Sequence, residues 1–437
     1  ISSSGIRGIA IKEVSLELCI KVGANISNWK RGNYVIGHDV RLTSPLLANA
    51  IINGICASGS NSIFMGMLPT PAIAFYSQYY SGGIAITASH NPPEYNGIKI
   101  FDNTGKPALP SFYELLIYSE PNYANWDSLG SRIDGCGFYE YVEMLVSKFN
   151  TRKKWRICID PGNGTTSLTA PLVFRLGNHE VHAINLDPDG RFPGRGPEPN
   201  EESLRETCEF VKRKSLDIGF AYDGDGDRLV VIDEKGNVIP QDITLAQVAK
   251  YFVKKFGGPI VTNVDSSSII DFLIKPLGGI VYRTKVGDPY VVEEALKRDA
   301  SFGGESCGAW IFPKILKCPD GVLSSIILLN FLDSEDIRAS ELMMGIPSFF
   351  IERSKIKCYD KLNLINRLKP KINELYSDAE ISYIDGIRIS WDDYTWALIR
   401  ASGTEPIIRI TVESPNEERA KNLISSLRKI IFDSMEA

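Results

Sequence analysis

At 437 residues the chain is too long for one hydrophobic core, and at roughly 100–150 residues per domain it divides into three or four compact units. Its 43% hydrophobic and 23% charged residues are those of an ordinary globular protein. A net charge of -5 with a pI near 5.6 argues against a nucleic acid as the main partner, because that binding needs a concentrated positive field, so any anionic ligand must be met by local basic residues.

No apolar run approaches the roughly 20 residues that span a bilayer, and the longest, Ile326 to Leu332, is interrupted by Asn330, so no membrane partner is expected. The start, Ile1-Ser-Ser-Ser-Gly5, lacks the charged-then-apolar pattern of a signal peptide and has no initiating Met, which reads as a cytoplasmic protein with a few residues missing. Cysteines at 19, 56, 136, 158, 208, 307, 318 and 358 form no C-x-x-C pair, and are expected to be reduced core residues rather than zinc ligands or a disulfide framework. Only three glutamines, at 78, 241 and 247, stand beside abundant Ile and Lys, a bias of heat-adapted proteins that the cysteines oppose.

In chain order, Ser3-Ser-Gly-Ile-Arg-Gly8 sets Arg7 between glycines, which by itself reads as a solvated arginine. Short apolar strands then alternate with helical patterns: Tyr34-Val-Ile-Gly, Gly83-Ile-Ala-Ile-Thr, Arg156-Ile-Cys-Ile-Asp, Asp217-Ile-Gly-Phe-Ala-Tyr and Ile260-Val-Thr-Asn-Val. That alternation predicts parallel α/β sheets, and each strand ends in polar or Gly-rich residues, where such sheets place ligands.

After the second strand comes Thr87-Ala-Ser-His-Asn-Pro-Pro-Glu-Tyr-Asn-Gly-Ile-Lys99, dense in turn residues. A nucleophilic Ser89 needs an accessible hydroxyl with a proton acceptor, and His90 and Lys99 are at hand. The local sequence by itself favours an Asn-Pro-Pro turn with an incidental Ser-His, and a hydrolytic triad is disfavoured because no G-x-S-x-G elbow is present.

The fourth strand runs into Ala221-Tyr-Asp-Gly-Asp-Gly-Asp-Arg228, which alternates Asp223, Asp225 and Asp227 with glycines. The glycines let a tight loop converge three carboxylates on one hard cation; a solvated acidic loop is the plainer alternative. Glu234 stands at the twelfth position from Asp223, as in an EF-hand, but Arg228 occupies the glycine position of that loop and a strand-like Leu229-Val-Val-Ile follows. Mg²⁺ therefore fits better than Ca²⁺. Further along, Gly303-Gly-Glu-Ser-Cys-Gly308 offers Glu305 to vicinal sugar hydroxyls.

Boundaries at Asn150-Thr-Arg-Lys-Lys, Lys254-Lys-Phe-Gly-Gly-Pro and Gly345-Ile-Pro-Ser divide the chain into segments 1–150, 151–255, 256–345 and 346–437. The last segment carries strand-like runs at Ile381–Ser390, Thr395–Arg400 and Ile407–Glu413. A helix from about Asn416 to Ser434 follows, with apolar residues at Ala420, Leu423, Ile424, Leu427 and Ile430–Ile431. The fold class is thus α/β, three similar mixed α/β domains followed by a smaller α+β domain. Within the last, Arg400-Ala-Ser-Gly-Thr-Glu-Pro406 with Arg409 can cradle a phosphate through guanidinium, hydroxyl and exposed N–H groups, although a structural turn fits as well.

Together and in this order these stretches resemble the α-D-phosphohexomutase superfamily, which includes phosphoglucomutase, phosphomannomutase and phosphoglucosamine mutase. Asp160-Pro-Gly-Asn-Gly, Phe192-Pro-Gly-Arg-Gly-Pro-Glu-Pro199 and Lys285-Val-Gly-Asp288 add to the likeness, which spans the whole chain. The resemblance implies four domains around a central cleft, with Ser89 as a phosphoserine and Asp223, Asp225 and Asp227 as Mg²⁺ ligands beside its phosphate. It implies Glu305 at the sugar hydroxyls, with Arg400, Ser402, Gly403 and Thr404 on the non-reacting phosphate. His90 or Lys99 would transfer the proton, and Arg7, Arg228 and Lys285 would lie close to the transferred phosphate.

The implied reaction interconverts hexose 1-phosphate and 6-phosphate, of glucose or mannose, through a bound 1,6-bisphosphate, with a glucose 1,6-bisphosphate-type activator. Phosphoglucosamine mutase is the alternative, a metal-dependent sugar phosphatase a more distant one. One departure bears on the sugar: the family's loop usually reads Gly-Glu-x-Ser-Gly, and here Cys307 replaces the serine with a weaker hydrogen-bonding thiol. The Val-Gly-Asp-Pro-Tyr-Val and Arg-Ala-Ser-Gly-Thr-Glu-Pro forms are closer to phosphoglucosamine mutases. Oligomeric state is not legible.

Overall fold

The computed structural model describes residues 1–135, 137–402 and 405–436, so Cys136, Gly403 and Thr404 lie outside the described residues. The chain builds two compact units, residues 1–244 with 307–342 and residues 245–306 with 343–437.

In the first unit, β1 (Ile6–Ile9), β2 (Asn33–His38), β3 (Asn61–Met67), β4 (Gly82–Ile86), β5 (Tyr95–Asp102) and β6 (Arg132–Asp134) form a sheet ordered β1-β5-β4-β2-β3-β6. The four strands β4-β2-β3-β6 run parallel, whereas β5 is antiparallel to both β4 and β1. Strand β4 is buried throughout, as expected of a central strand covered on both faces. Helices Leu16–Trp29 and Ser44–Ala57 cross closely at two glycines: a Cβ on Gly23 would stand 2.3 Å from the Ile51 carbonyl oxygen, and one on Gly54 2.1 Å from that of Ile20.

A second sheet in this unit joins β7 (Arg156–Asp160), β8 (Glu180–Ala183), β9 (Ile218–Tyr222) and β10 (Leu229–Ile232) in the order β10-β9-β7-β8. Strands β9 and β10 are antiparallel with Tyr222 opposite Leu229, so Asp223–Arg228 is the loop of a hairpin. The β4–β5 connection carrying Ser89 is built the same way, with Ile86 opposite Ile98. Two sheets thus present their polar loops by one device, an antiparallel turn-back at the carboxyl end of a buried strand.

The second unit contains a parallel sheet β12-β11-β13, from β11 (Ile260–Asn263), β12 (Val281–Thr284) and β13 (Phe302–Gly304). A short β14 (Trp310–Ile311) and the buried helix Gly321–Glu335 belong to the first unit. There Asn330 and Asp333 accept backbone N–H bonds from Asn150 and Arg152, tying the helix to the start of the β7 region.

The remaining strands are β15 (Phe350–Lys357), β16 (Glu380–Ser382), β17 (Ile387–Ser390), β18 (Trp396–Ala401) and β19 (Ile407–Ser414), antiparallel in the order β15-β19-β18-β17-β16. The run Ile381–Ser390, expected as one strand, is two: Gly386 adopts φ 90°, a turn conformation that costs glycine little, and folds β17 back on β16. The final helix, Glu417–Glu436, buries Ala420, Ile424, Leu427 and Ile431 on one side, as its spacing predicts, each Ile or Leu side chain contributing about 1.5–3 kcal/mol. The seven described cysteines are all free, and no described helix is long and apolar enough to cross a membrane.

Candidate active site

The first unit brings the serine loop onto the aspartate loop. Ser89 is buried, with a left-handed φ of 54°, unusual for a non-glycine residue. Its N–H donates to Thr87 Oγ1 at 2.9 Å, and its hydroxyl donates to Asp223 Oδ2 at 2.6 Å; His90 Nδ1 lies 3.4 Å from the same Oγ. The three aspartates offer oxygens that all lie within 4.8 Å of one another. Lys99, on β5, donates to Asp225 Oδ2 at 2.9 Å and to Asp227 Oδ2 at 2.5 Å. Asp223 Oδ1 accepts the N–H groups of Gly226 and Arg228, at 3.1 and 3.2 Å, which wraps the loop around its own first carboxylate.

The electrostatics show three buried carboxylates crowded on one another. Burial, then the neighbouring Asp227 and Asp225, push Asp223 well above the usual carboxylate range. Burial would raise Asp225 too, but the Lys99 ammonium and the Thr70 hydroxyl prevail and hold it below its ordinary value. Asp225 Oδ1 and Asp227 Oδ1 are buried without a hydrogen-bond partner among the described residues. The nearest ion-pair contact to Asp227 Oδ1 is Arg228 Nε, at 4.0 Å. Two orphaned carboxylate oxygens beside a third acid suit a hard divalent cation with oxygen ligands.

Around the serine the positive groups gather. Burial, then the Arg228 and Arg7 charges, push His90 down to about 2, so its imidazole is neutral. Arg7 donates to Asn91 Oδ1 at 3.2 Å while its Nε is buried without a hydrogen-bond partner, a donor ready for an anion. Cys307, half-buried, adjoins this loop in the same unit: the next residue, Gly308, accepts the Leu229 N–H at 3.1 Å.

In the second unit, Glu305 follows β13 and is buried, with Oε1 accepting from Asn263 Nδ2 at 2.6 Å and the Gly287 N–H at 2.8 Å. Lys285 is exposed, its Nζ 5.7 Å from the Tyr290 ring centroid. Asp385 links two expected elements, accepting from the Val286 N–H at 3.1 Å and from Arg400 Nη1 at 3.0 Å. Ser402 is buried, Arg409 pairs with Glu405 at 2.6 Å, and Lys361 Nζ donates to the Ser402 and Glu405 carbonyls at 2.6 and 2.8 Å. Gly403 and Thr404, expected in this cradle, fall outside the described residues.

Thr70, Asp39, Arg41 and Lys361 lie outside the sequence motifs, whereas Asp160 and Arg195 lie within two of them. Thr70 donates to Asp225 Oδ2 at 2.6 Å. Arg41 and Asp39 form a buried ion pair at 3.0 Å. Arg41 also donates to the carbonyls of Ser89, Asn91, Pro92 and Tyr95, at 2.9, 2.6, 2.5 and 3.1 Å, so one guanidinium holds the whole serine loop. The signal was present: a charged pair, Asp39-Val-Arg41, at the carboxyl end of the apolar strand β2. Asp160 and Arg195 form a second buried pair at 2.8 Å, from which Arg195 reaches the Tyr222 carbonyl just before the aspartates at 2.5 Å. Lys361 carries no local signal.

The family models for phosphoglucomutase/phosphomannomutase match in chain order: α/β/α domain I over residues 2–122, domain II over 139–236, domain III over 240–349 and the C-terminal domain over 361–430. The chain belongs to this family. Among its relatives, a "probable phosphoglucosamine mutase" of Pyrococcus abyssi is 39% identical over 99% of the chain and 98% of the relative. The phosphoglucosamine mutase of Methanococcus vannielii is 39% identical over 97% of each. A crystal structure of a phosphoglucomutase/phosphomannomutase family protein from Burkholderia thailandensis superposes with a TM-score of 0.89 at 25% identity, covering 99% of this chain and 97% of that one. The chain is thus a phosphohexomutase, an intramolecular phosphotransferase of the isomerase class.

Proposed function

We propose that this phosphohexomutase interconverts glucosamine 6-phosphate and glucosamine 1-phosphate, with Ser89 carrying the phosphoryl group. The observation that supports the carrier role most strongly is the hydrogen bond from Ser89 Oγ to Asp223 Oδ2 at 2.6 Å, which sets the hydroxyl against the aspartate cluster. For the sugar, the support is the 39% identity to phosphoglucosamine mutases over nearly the whole chain, favouring the amino sugar over glucose or mannose.

A magnesium ion held by Asp223, Asp225 and Asp227 beside the Ser89 phosphate would neutralise charge on the transferring group. The residues of the chain do the rest. A sugar hydroxyl oxygen bonds to phosphorus as the Ser89 Oγ–P bond breaks, and the proton lost by the sugar ends on Ser89 Oγ, beside which His90 Nδ1 lies at 3.4 Å. Lys99, its ammonium directed at Asp225 and Asp227, keeps those carboxylates aligned. Arg7 and Arg228 supply positive charge toward the phosphate, and Lys285 is a substrate-binding cation of the second unit. Glu305 and Cys307 contact the sugar, and Arg400, Ser402, Gly403, Thr404 and Arg409 hold the phosphate that is not reacting. The bisphosphate then presents its other end and its second phosphate returns to Ser89, with a hexose 1,6-bisphosphate priming an unphosphorylated enzyme.

A panel of glucosamine, glucose and mannose 6-phosphates, with Mg²⁺ and glucose 1,6-bisphosphate present, tests this. Glucosamine 6-phosphate is expected to show the highest kcat/KM; a clear preference for glucose or mannose would overturn the sugar assignment. Free phosphate released in step with substrate loss would instead indicate a phosphatase.

A further inference from the structure

Phe192 has a backbone φ of 51°, a conformation that a bulky residue adopts only when its surroundings enforce it, yet its side chain is buried. The Arg41 guanidinium lies 5.2 Å from its ring centroid. On the aspartate loop, a Cβ added to Gly224 would stand 3.3 Å from the Phe192 ring and 2.7 Å from the Ser89 carbonyl oxygen. The same segment approaches Arg41 from behind, since a Cβ on Gly190 would lie 2.5 Å from the Val40 carbonyl oxygen.

We propose that Phe192 is a positioning residue, its ring wedged between Arg41 and Gly224 so that the Ser89 loop and the Asp223–Arg228 loop are held in one register. Arg41 organises the serine loop through four carbonyls, Asp39 balances its charge, and Phe192 couples that assembly to Gly224 without touching a reacting atom. The strained backbone at Phe192 brings the ring to the point where the two loops converge. A cation-π contact and van der Waals packing suit this task, because neither withdraws a hydrogen bond from the carbonyls that Arg41 already serves. The consequence for catalysis rests on Ser89 being the phosphoryl carrier.

Phe192→Leu, Arg41→Lys and the double variant test the idea by two readouts. Amide exchange in residues 87–95 and 223–228 of Phe192→Leu is expected to rise while that of strands β2 and β7 stays unchanged, a result that does not depend on the carrier role. Because a misplacement of about 1 Å costs on the order of 100-fold, kcat is expected to fall roughly 30–100-fold with KM changed less than about twofold. The double variant should lose little more than the worse single variant, since both act through one contact. Unchanged exchange in both loops, a loss carried by KM, or losses that multiply in the double variant would each overturn the proposal. Full activity in Ser89→Ala would identify a failure of the carrier assignment instead, and the exchange comparison would still decide whether Phe192 couples the loops.

Discussion

The loops proposed to carry the chemistry and the residues proposed to hold the sugar are built on opposite plans. In the first unit Ser89, Lys99 and the three aspartates are all buried, and two buried Asp–Arg pairs fix the loops that bear them. In the second, Lys285 and Arg409 are exposed, and the Arg400 side chain keeps 21% of its surface open. Phosphoryl transfer rewards alignment of a few atoms, so its groups are locked by neighbours. Under the proposed function the second-unit residues accept either end of a bisphosphate, which gives them no single geometry to lock and suits their accessible cations. Glu305 and Ser402 are buried exceptions, and the Glu305 carboxylate is fixed by Asn263 and Gly287. It sets a fixed reference among adaptable groups.

The contrast can be broken from its rigid side first. Ser89→Ala is expected to lower kcat by roughly 10⁴-fold or more with folding retained, because it removes the proposed phosphoryl carrier. Substantial turnover in that variant would remove the nucleophile. Asp225→Asn is expected to lower activity about 100-fold at fixed Mg²⁺ and to move the Mg²⁺ titration to higher concentration; an unchanged titration would count against the aspartate cluster.

On the open side the effect should be smaller and fall on binding. Arg400→Ala removes a charge-assisted contact worth about 1.5–3 kcal/mol, so KM for the sugar phosphate should rise roughly 10–100-fold with kcat less affected. A loss confined to kcat would mean that Arg400 belongs with the rigid machinery.

The smallest effect comes from a buried group outside the chemistry. His179 is buried against Phe149, accepts the Trp155 N–H at 3.3 Å, and is held below its ordinary pKa by burial. The native state therefore prefers the neutral ring, whose stabilising contribution is present above the unfolded pKa of about 6.5 and is lost as pH falls through the lower folded value. His179→Gln should flatten the dependence of melting temperature on pH between the unfolded value of about 6.5 and the lower folded value, and leave kcat unchanged. An unaltered pH dependence of melting would exclude His179 as its source.

The sequence made some of this visible for a physical reason. Buried strands must be apolar and their ends polar, so β2, β4, β7, β9 and β11, the alternating aspartates and the final helix could all be read from local pattern. The hairpin at Glu380–Ser390 also had a local signal, the turn pair Asp385-Gly386, but the apolar Tyr383 and Ile384 before it make the segment read as one continuing strand. Asp39-Val-Arg41 marks a charged pair at a strand end, but not the four carbonyls 48 to 54 residues away that Arg41 holds, and nothing local marks Lys361, 41 residues from the Ser402 carbonyl it holds. Ser89 stands between these cases. Its own loop reads as an ordinary turn, and its meaning came from Asp223, 134 residues further on.

That pairing can be tested by following the phosphate itself. Enzyme carrying an ¹⁸O-labelled phosphoryl group on Ser89, mixed with unlabelled glucosamine 6-phosphate and Mg²⁺, should transfer the label to the sugar. Label is then expected in the 1-phosphate position of the product, and Ser89 should be rephosphorylated by the unlabelled group. Retention of the label on Ser89 while product accumulates, or its release as inorganic phosphate, would contradict the account.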